Sequence, residues 1–177
     1  ESNPDIEKKL YLTRKRIEKK IKALSINDFY ICSLSTETIV YKGMFLAEQL
    51  SDFYPDLLDK SFKSKFAIYH QRYSTNTFPT WSLAQPFRIL AHNGEINTLK
   101  GNINWMSAHE PRITHPFFNE KISDLKPILD PDASDSASLD AAFELLLQTD
   151  RDLPMAKSMI IPEAWSNRPD LSEELKD

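Results

Sequence analysis

Residues 65–97 read KFAIYHQRYSTNTFPTWSLAQPFRILAHNGEIN, and this stretch decides the predicted fold. KFAIYHQRYS (65–74) and FRILAH (87–92) are rich in aromatic and β-branched residues, and each leads into polar residues, which is typical of strands that end in loops. Upstream, FYICSLS (29–35) and TIVYKG (38–43) flank a short polar turn and predict a hairpin. We therefore expect at least four short strands.

Helical patterns lie on both sides of these strands. Residues 4–24 carry an apolar stripe, with Asn3 as a cap before Pro4. Residues 133–149 have apolar residues at i, i+3, i+4, i+7 and i+8, the clearest amphipathic helix in the chain. The stripe of the first helix consists of Ile6, Leu10, Ile17, Ile21 and Leu24. The candidate caps of the second are Ser134, Asp135 and Ser136.

Three further segments complete the predicted order of elements. Residues 44–54 predict a short helix that ends near Pro55, the later part of 95–110 predicts another, and 153–165 is an apolar segment closed by Pro162. Strands flanked by helices, without regular βαβ alternation, indicate an α+β layered domain.

Composition excludes several classes of protein. The 177 residues are 41% hydrophobic and 27% charged, as in an ordinary globular domain, and no apolar run could span a membrane. Cys32 has no disulfide partner, which favours a reducing compartment, the cytoplasm or a plastid stroma, and a structural role for the thiol. The net charge of −4 argues against nucleic acid as a partner. Residues 1–24 hold eight basic against four acidic residues, either a solvated helix face or a surface for an acidic partner.

Two charged residues together suggest an amino-acid site. Arg72 ends a predicted strand, where its guanidinium could hold a carboxylate in a bidentate pair or form an ordinary surface ion pair. Asp135 begins the strongest helix, either as a cap or as the acceptor of a substrate ammonium. Thr75 and Asn76 belong to a polar cluster that equally suits a turn before Pro79.

Asn93 and Gly94 have two compatible interpretations. An Asn-Gly pair between strand-like runs is the preferred two-residue hairpin turn. The Asn93 side-chain amide and the Gly94 N–H could also donate to an oxyanion formed when an amide carbon is attacked. The four histidines lack the spacing of a metal site, and no glycine-rich phosphate loop is present, so we expect no metal in this chain.

Four blocks of the sequence closely resemble one family. HQRYSTNTFPTW, LAQPFRILAHNGEINTLKGNINWM, SDSASLD and IIPEAW resemble the class II glutamine amidotransferase domain of the glutamate synthase large subunit, and the similarity extends over residues 5–165. The resemblance implies an N-terminal nucleophile hydrolase fold, an αββα sandwich of antiparallel sheets. It implies hydrolysis of L-glutamine to glutamate and ammonia, which then aminates 2-oxoglutarate reductively in a synthase region that holds FMN and an iron–sulfur cluster.

The resemblance also assigns roles to individual residues. It implies that Arg72 binds the glutamine carboxylate and Asp135 its ammonium, that Thr75 and Asn76 line the pocket, and that Asn93 and Gly94 form the oxyanion hole. The nucleophile of the family is an N-terminal cysteine whose own α-amino group acts as base.

This chain begins with Glu1, and its one cysteine is internal. We therefore expect residues 1–177 to be the C-terminal portion of a single amidotransferase domain, ending in a polar tail (166–177), with the nucleophile supplied by an upstream segment. The expected partners are L-glutamine, the upstream segment, the downstream synthase region and a small reductase subunit. The alternative is a non-catalytic interaction module that retains the fold. A weaker alternative is a nucleic-acid binder that uses the basic first helix.

Overall fold

The computed structural model describes residues 3–27, 29–71, 80–92, 96, 98–161 and 172. Five α-helices lie in these ranges, and short 3₁₀ segments connect them. The helices are α1 (Pro4–Ala23), α2 (Leu50–Phe53), α3 (Leu99–His109), α4 (Asp135–Gln148) and α5 (Leu153–Ile160). The 3₁₀ segments are Ala47–Gln49, Pro55–Leu58, Trp81–Leu83, Glu110–Arg112 and Asn119–Leu125.

The predicted helix starts are confirmed by their caps. Asn3, which precedes Pro4, accepts a hydrogen bond from the Asp5 N–H. This cap bond and the fixed φ of Pro4 both favour a helix from that point. Of the three candidate caps of α4, Ser134 is the one that acts, because its hydroxyl accepts from the Ala137 N–H. Asp152 caps α5 in the same way through the Met155 N–H.

The apolar stripe predicted for α1 is not the face that α1 buries. Ile6 and Leu24 of the apolar stripe are exposed, whereas Tyr11, Leu12 and Arg14 are buried. A different face of α1 is buried because Tyr11 packs edge-on against Phe118 and because Arg14 reaches a carboxylate on α4. These contacts outweigh the burial of a few aliphatic side chains on the stripe.

The main core lies where α1 and α4 meet the 3₁₀ segment Asn119–Leu125 and its flanks. Phe118 and Leu125 are completely buried there, and Leu145 contributes from α4. Burial of side chains of this size supplies about 1.5–3 kcal/mol each, so this cluster is the principal apolar anchor of the helices. Its buried members are Tyr11, Leu12, Phe118, Leu125, Ile128, Leu129 and Leu145.

The predicted strands are not confirmed. The described parts of 29–35, 38–43, 65–74 and 87–92 contain no β-strand, and neither does any other described residue. A strand is stabilised by hydrogen bonds to a neighbouring strand, and no such ladder forms among the described residues. Large apolar side chains of these segments therefore remain in water, as shown by Phe66 and Tyr69, which are 75% and 81% exposed. No described helix has the length and apolar character needed to cross a membrane.

Candidate functional site

Asp135 is the one predicted site residue that lies within the described part of the chain. It is the first residue of α4, and its carboxylate accepts from the backbone N–H of Ile96 at 2.8 Å. The other carboxylate oxygen accepts from the Ser136 N–H at 2.6 Å and from the Ser136 hydroxyl at 3.1 Å. Asp135 therefore joins the start of α4 to the chain just after the Asn-Gly pair.

The remaining predicted site residues fall outside the described ranges. They are Arg72, Thr75, Asn76, Asn93 and Gly94. Their roles as carboxylate binder, pocket lining and oxyanion donors stay predictions.

Ser136 contacts the chain just before the Asn-Gly pair. Its hydroxyl oxygen and the His92 Nε2 share a hydrogen bond of 2.6 Å. Ser136 is itself buried. Consecutive residues of α4 thus contact both His92 and Ile96, which lie on either side of 93–95.

Asp140, one turn further along α4, holds the segment that leads into His92. Its side chain is almost fully buried, with 1% of the residue exposed. One carboxylate oxygen accepts from the N–H groups of Ile89 and Leu90 at 2.8 and 2.9 Å, and the other accepts from the Arg88 N–H at 3.3 Å. A buried carboxylate is tolerated only when its hydrogen bonds are satisfied, and here three backbone donors satisfy it.

Asp140 was not among the site residues predicted from the sequence. No sequence signal marked its burial: Asp140 lies one turn after Ser136 and one turn before Glu144, on the polar side of an amphipathic helix. Such a residue is rarely buried without partners. Neither the partner nor its distance along the chain could be read from the spacing.

A network of buried and half-buried charges continues from this segment to α1. The Arg88 guanidinium contacts Glu18 at 2.9 Å and the Ile31 carbonyl, and it lies over the Tyr30 ring. Glu18 also pairs with Arg14, which reaches Glu144 on α4. Burial opposes the charge on Arg14, but the two carboxylates outweigh it and raise the pKa of the guanidinium. The network therefore links α1, α4 and residue 88.

A cavity with a volume of about 760 Å³ lies elsewhere in the described part of the chain. The described residues of its lining include Cys32, Lys42, Phe53 and Trp81 and do not include Asp135. Burial raises the pKa of the Cys32 thiol and lowers that of the Lys42 amine to about 8. A thiol with a raised pKa is a poor nucleophile.

The described residues contain no group of three or more His, Cys, Asp or Glu side chains arranged to hold a metal ion. The contacts around α4 are instead between carboxylate or hydroxyl groups and backbone N–H groups. An arrangement of this kind fixes the course of the backbone.

Residues 1–177 match the family model of the class-II glutamine amidotransferases over their whole length. The chain therefore belongs to the class-II glutamine amidotransferase family. The family resemblance expected from the sequence motifs is confirmed.

Several curated relatives are glutamate synthases. The chain is 63% identical over 166 residues to the "Glutamate synthase [NADPH] large chain" of Azospirillum brasilense, covering 94% of this chain and 11% of that protein. It is 52% identical over 169 residues to the chloroplastic ferredoxin-dependent glutamate synthase of Oryza sativa subsp. japonica, covering 95% of this chain and 10% of that protein. It is 48% identical over 172 residues to the "Glutamate synthase [NADPH] large chain" of Bacillus subtilis (strain 168), covering 97% and 11%. The chain thus spans about a tenth of the length of these relatives.

Proposed function

We propose that these 177 residues supply the glutamine-binding and oxyanion-stabilising part of the amidotransferase domain of a glutamate synthase. That domain hydrolyses L-glutamine to glutamate and ammonia. The observation that carries the proposal is the contact between Asp135 and Ile96, because it brings the proposed ammonium acceptor to the end of the Asn93-Gly94 segment. Membership of the class-II family and the glutamate synthase relatives support it.

In this proposal each polar group of glutamine has a defined partner. Arg72 binds the α-carboxylate through its planar guanidinium, and Asp135 accepts from the α-ammonium. Thr75 and Asn76 line the pocket. When a thiolate attacks the side-chain amide, the carbonyl oxygen becomes an oxyanion, and the Asn93 amide and Gly94 N–H donate to it. Collapse of the intermediate releases ammonia and leaves a thioester that water hydrolyses to glutamate.

The attacking thiolate comes from a cysteine outside these residues. Cys32 is internal, so no free α-amino group can serve as its base, and the raised pKa of its thiol disfavours the reactive form. In this proposal the chain forms the C-terminal portion of one amidotransferase domain. In the completed domain we expect residues 29–35, 38–43, 65–74 and 87–92 to pair with other strands in the αββα sandwich, which would cover the exposed Phe66 and Tyr69.

The redox chemistry of the full protein also lies outside these residues. A single cysteine cannot supply the thiolate set of an iron–sulfur cluster, so the cluster and FMN belong to the downstream synthase region that aminates 2-oxoglutarate. The same proposal includes a reductase subunit. It also includes a reducing compartment, which is the cytoplasm or a plastid stroma.

The decisive experiment compares ammonia release from L-glutamine by this chain and by a longer polypeptide that begins at the upstream cysteine. We expect release from the longer polypeptide alone. Release by the 177-residue chain would show that our assignment of the nucleophile is wrong. Absence of release from both, with no binding of L-glutamine by calorimetry, would overturn the proposal and favour a non-catalytic interaction module.

A further inference from the structure

Helix α4 contacts the chain on both sides of residues 93–95. Asp140 accepts from three N–H groups of 88–90, Ser136 bonds to His92, and Asp135 accepts from Ile96. Positions 135 to 140 lie within less than two turns of one helix, about 7.5 Å along its axis. The start and the end of the segment that holds Asn93 and Gly94 are therefore attached to the same short, rigid element.

We propose that Asp140, assisted by Ser136, is a positioning residue for the oxyanion donors. It acts by fixing the backbone of 88–92 against α4. The inference rests on the proposed function, because it concerns the placement of Asn93 and Gly94 in glutamine hydrolysis. Asp140 touches neither substrate nor nucleophile in this account, and so it is not a catalytic residue.

The hydrogen bonds of Asp140 specify one register between α4 and the preceding segment. Asp140 is nearly excluded from water, so any shift of 88–90 that breaks these bonds leaves a buried charge without its N–H partners. Stabilisation of an oxyanion depends on donors already in place, and a displacement of about 1 Å can cost about 100-fold in rate. The bonds of Asp140 oppose such a displacement.

Ser136 provides a test on the same helix with a closely matched control. Ser136 and Ser138 are both buried serines of α4. The Ser136 hydroxyl bonds to His92, whereas the Ser138 hydroxyl has no hydrogen-bond partner among the described residues. The Ser136→Ala and Ser138→Ala variants therefore differ in the hydroxyl bonds to His92 and to Asp135, which only Ser136→Ala removes.

The experiment uses the full-length polypeptide that carries this segment and measures glutaminase kcat and KM. The number of binding-competent sites, from calorimetric titration with L-glutamate, normalises kcat for any loss of folded protein. We expect Asp140→Asn, which keeps one carbonyl acceptor, to lose about tenfold in kcat per site, and Asp140→Leu about 100-fold, with KM changed less than about threefold. Ser136→Ala should lose more than Ser138→Ala.

Leu145→Ala serves as the control for destabilisation alone. Leu145 lies in the core on the same helix, so the variant should unfold more readily while keeping kcat per site. If Asp140→Leu does not fold, Asp140→Asn and the two serine variants provide the same comparison. Wild-type kcat per site in Asp140→Asn and Ser136→Ala would overturn the inference.

A double-mutant cycle separates this inference from the proposed function. Asp140→Asn should reduce kcat less in an Asn93→Ala background than in the wild type, because the donor it positions is already absent. Equal reductions in both backgrounds would show that Asp140 acts independently of the oxyanion donor. Wild-type turnover of Asn93→Ala alone would instead refute the oxyanion assignment in the proposed function.

Discussion

Arg14 of α1 and Glu144 of α4 form a buried ion pair, and the two residues lie 130 positions apart in the chain. The guanidinium also contacts Glu18 at 2.8 Å, so one buried cation faces two carboxylates. The pair fixes how α1 lies on α4. Helix α4 carries Asp135, Ser136 and Asp140. The orientation of α1 therefore affects the element that supports the candidate site.

Removal of one member of this pair should be costly. We expect Glu144→Ala to lower the free energy of unfolding by about 3–5 kcal/mol, because Arg14 would keep its charge in a buried place with one partner fewer. The double variant Arg14→Met/Glu144→Leu should recover most of that loss, since neither charge remains. Urea unfolding of the wild type, Glu144→Ala and the double variant measures both effects. A double variant no more stable than Glu144→Ala would contradict this account.

Asn93→Ala should reduce glutaminase kcat by about 100- to 1000-fold in the full-length polypeptide, the usual cost of losing one oxyanion donor. KM for L-glutamine should change little, because the donor acts mainly on the transition state. Asn104→Ala, at an exposed position of α3, is the matched control and should retain wild-type turnover. Equal activity of the two variants would remove Asn93 from the site.

Arg72→Ala should weaken L-glutamine binding by about 2–5 kcal/mol, because a desolvated carboxylate would lose its charged partner. Calorimetric titration with L-glutamate, which has the same α-carboxylate, isolates this effect from turnover. Arg112→Ala removes an exposed guanidinium and should bind normally. Unchanged affinity in Arg72→Ala would contradict the role assigned to Arg72.

Asp150 should contribute stability that depends on pH. Hydrogen bonds from Lys8 and His115 lower the pKa of its carboxyl below the ordinary 3.8. The contribution is therefore present above pH 3.8 and is lost as the pH falls through the lower pKa of the folded state. Asp150 is largely exposed, so Asp150→Asn should cost only about 1 kcal/mol at pH 7.

Urea unfolding at pH 7 and well below pH 3.8 tests this prediction. The difference between the wild type and Asp150→Asn should vanish in acid. Asp132→Asn, at an exposed position, should show little difference at either pH. A cost of Asp150→Asn that persists in acid would mean that its charge is not the cause.

Lys42 should also make stability rise with pH, but in the alkaline range. Its amine donates to the Ser82 carbonyl at 2.8 Å and lies over the rings of Tyr30 and Phe87, yet burial lowers its pKa from 10.5 to about 8. Between these values the unfolded chain binds more protons than the folded one, so stability rises with pH. Below pH 8 both states are protonated, and the full cost of the buried charge applies.

Lys42→Met removes this dependence. Relative to the variant, the wild type should gain on the order of 2–3 kcal/mol in unfolding free energy as the pH rises through this window. Urea unfolding at pH 7 and at pH 10.5 measures the change. Lys9→Met, at an exposed position of α1, should follow the wild type at both pH values. Parallel curves for wild type and Lys42→Met would contradict the lowered pKa.

Local signals in the sequence were sufficient to predict the helices and to identify the family. Asn3 before Pro4 and Ser134 before the apolar run of α4 specify helix starts through bonds that span two or three residues. The motif blocks around His92 and Asp135 were sufficient to place the chain in the class-II amidotransferase family. Information of this kind is contained in a short window of residues, so it can be read without a structure.

The long-range contacts could not be read in that way. The buried face of α1 follows from Arg14 and its partner 130 residues away, and the role of Asp140 follows from backbone N–H groups about 50 residues earlier. Strand formation depends in the same way on a partner strand, and none pairs with the apolar segments among the described residues. Periodicity shows which side chains share a face. The contacts of that face depend on the folding of distant segments, because hydrogen bonds and ion pairs form between groups that meet in space.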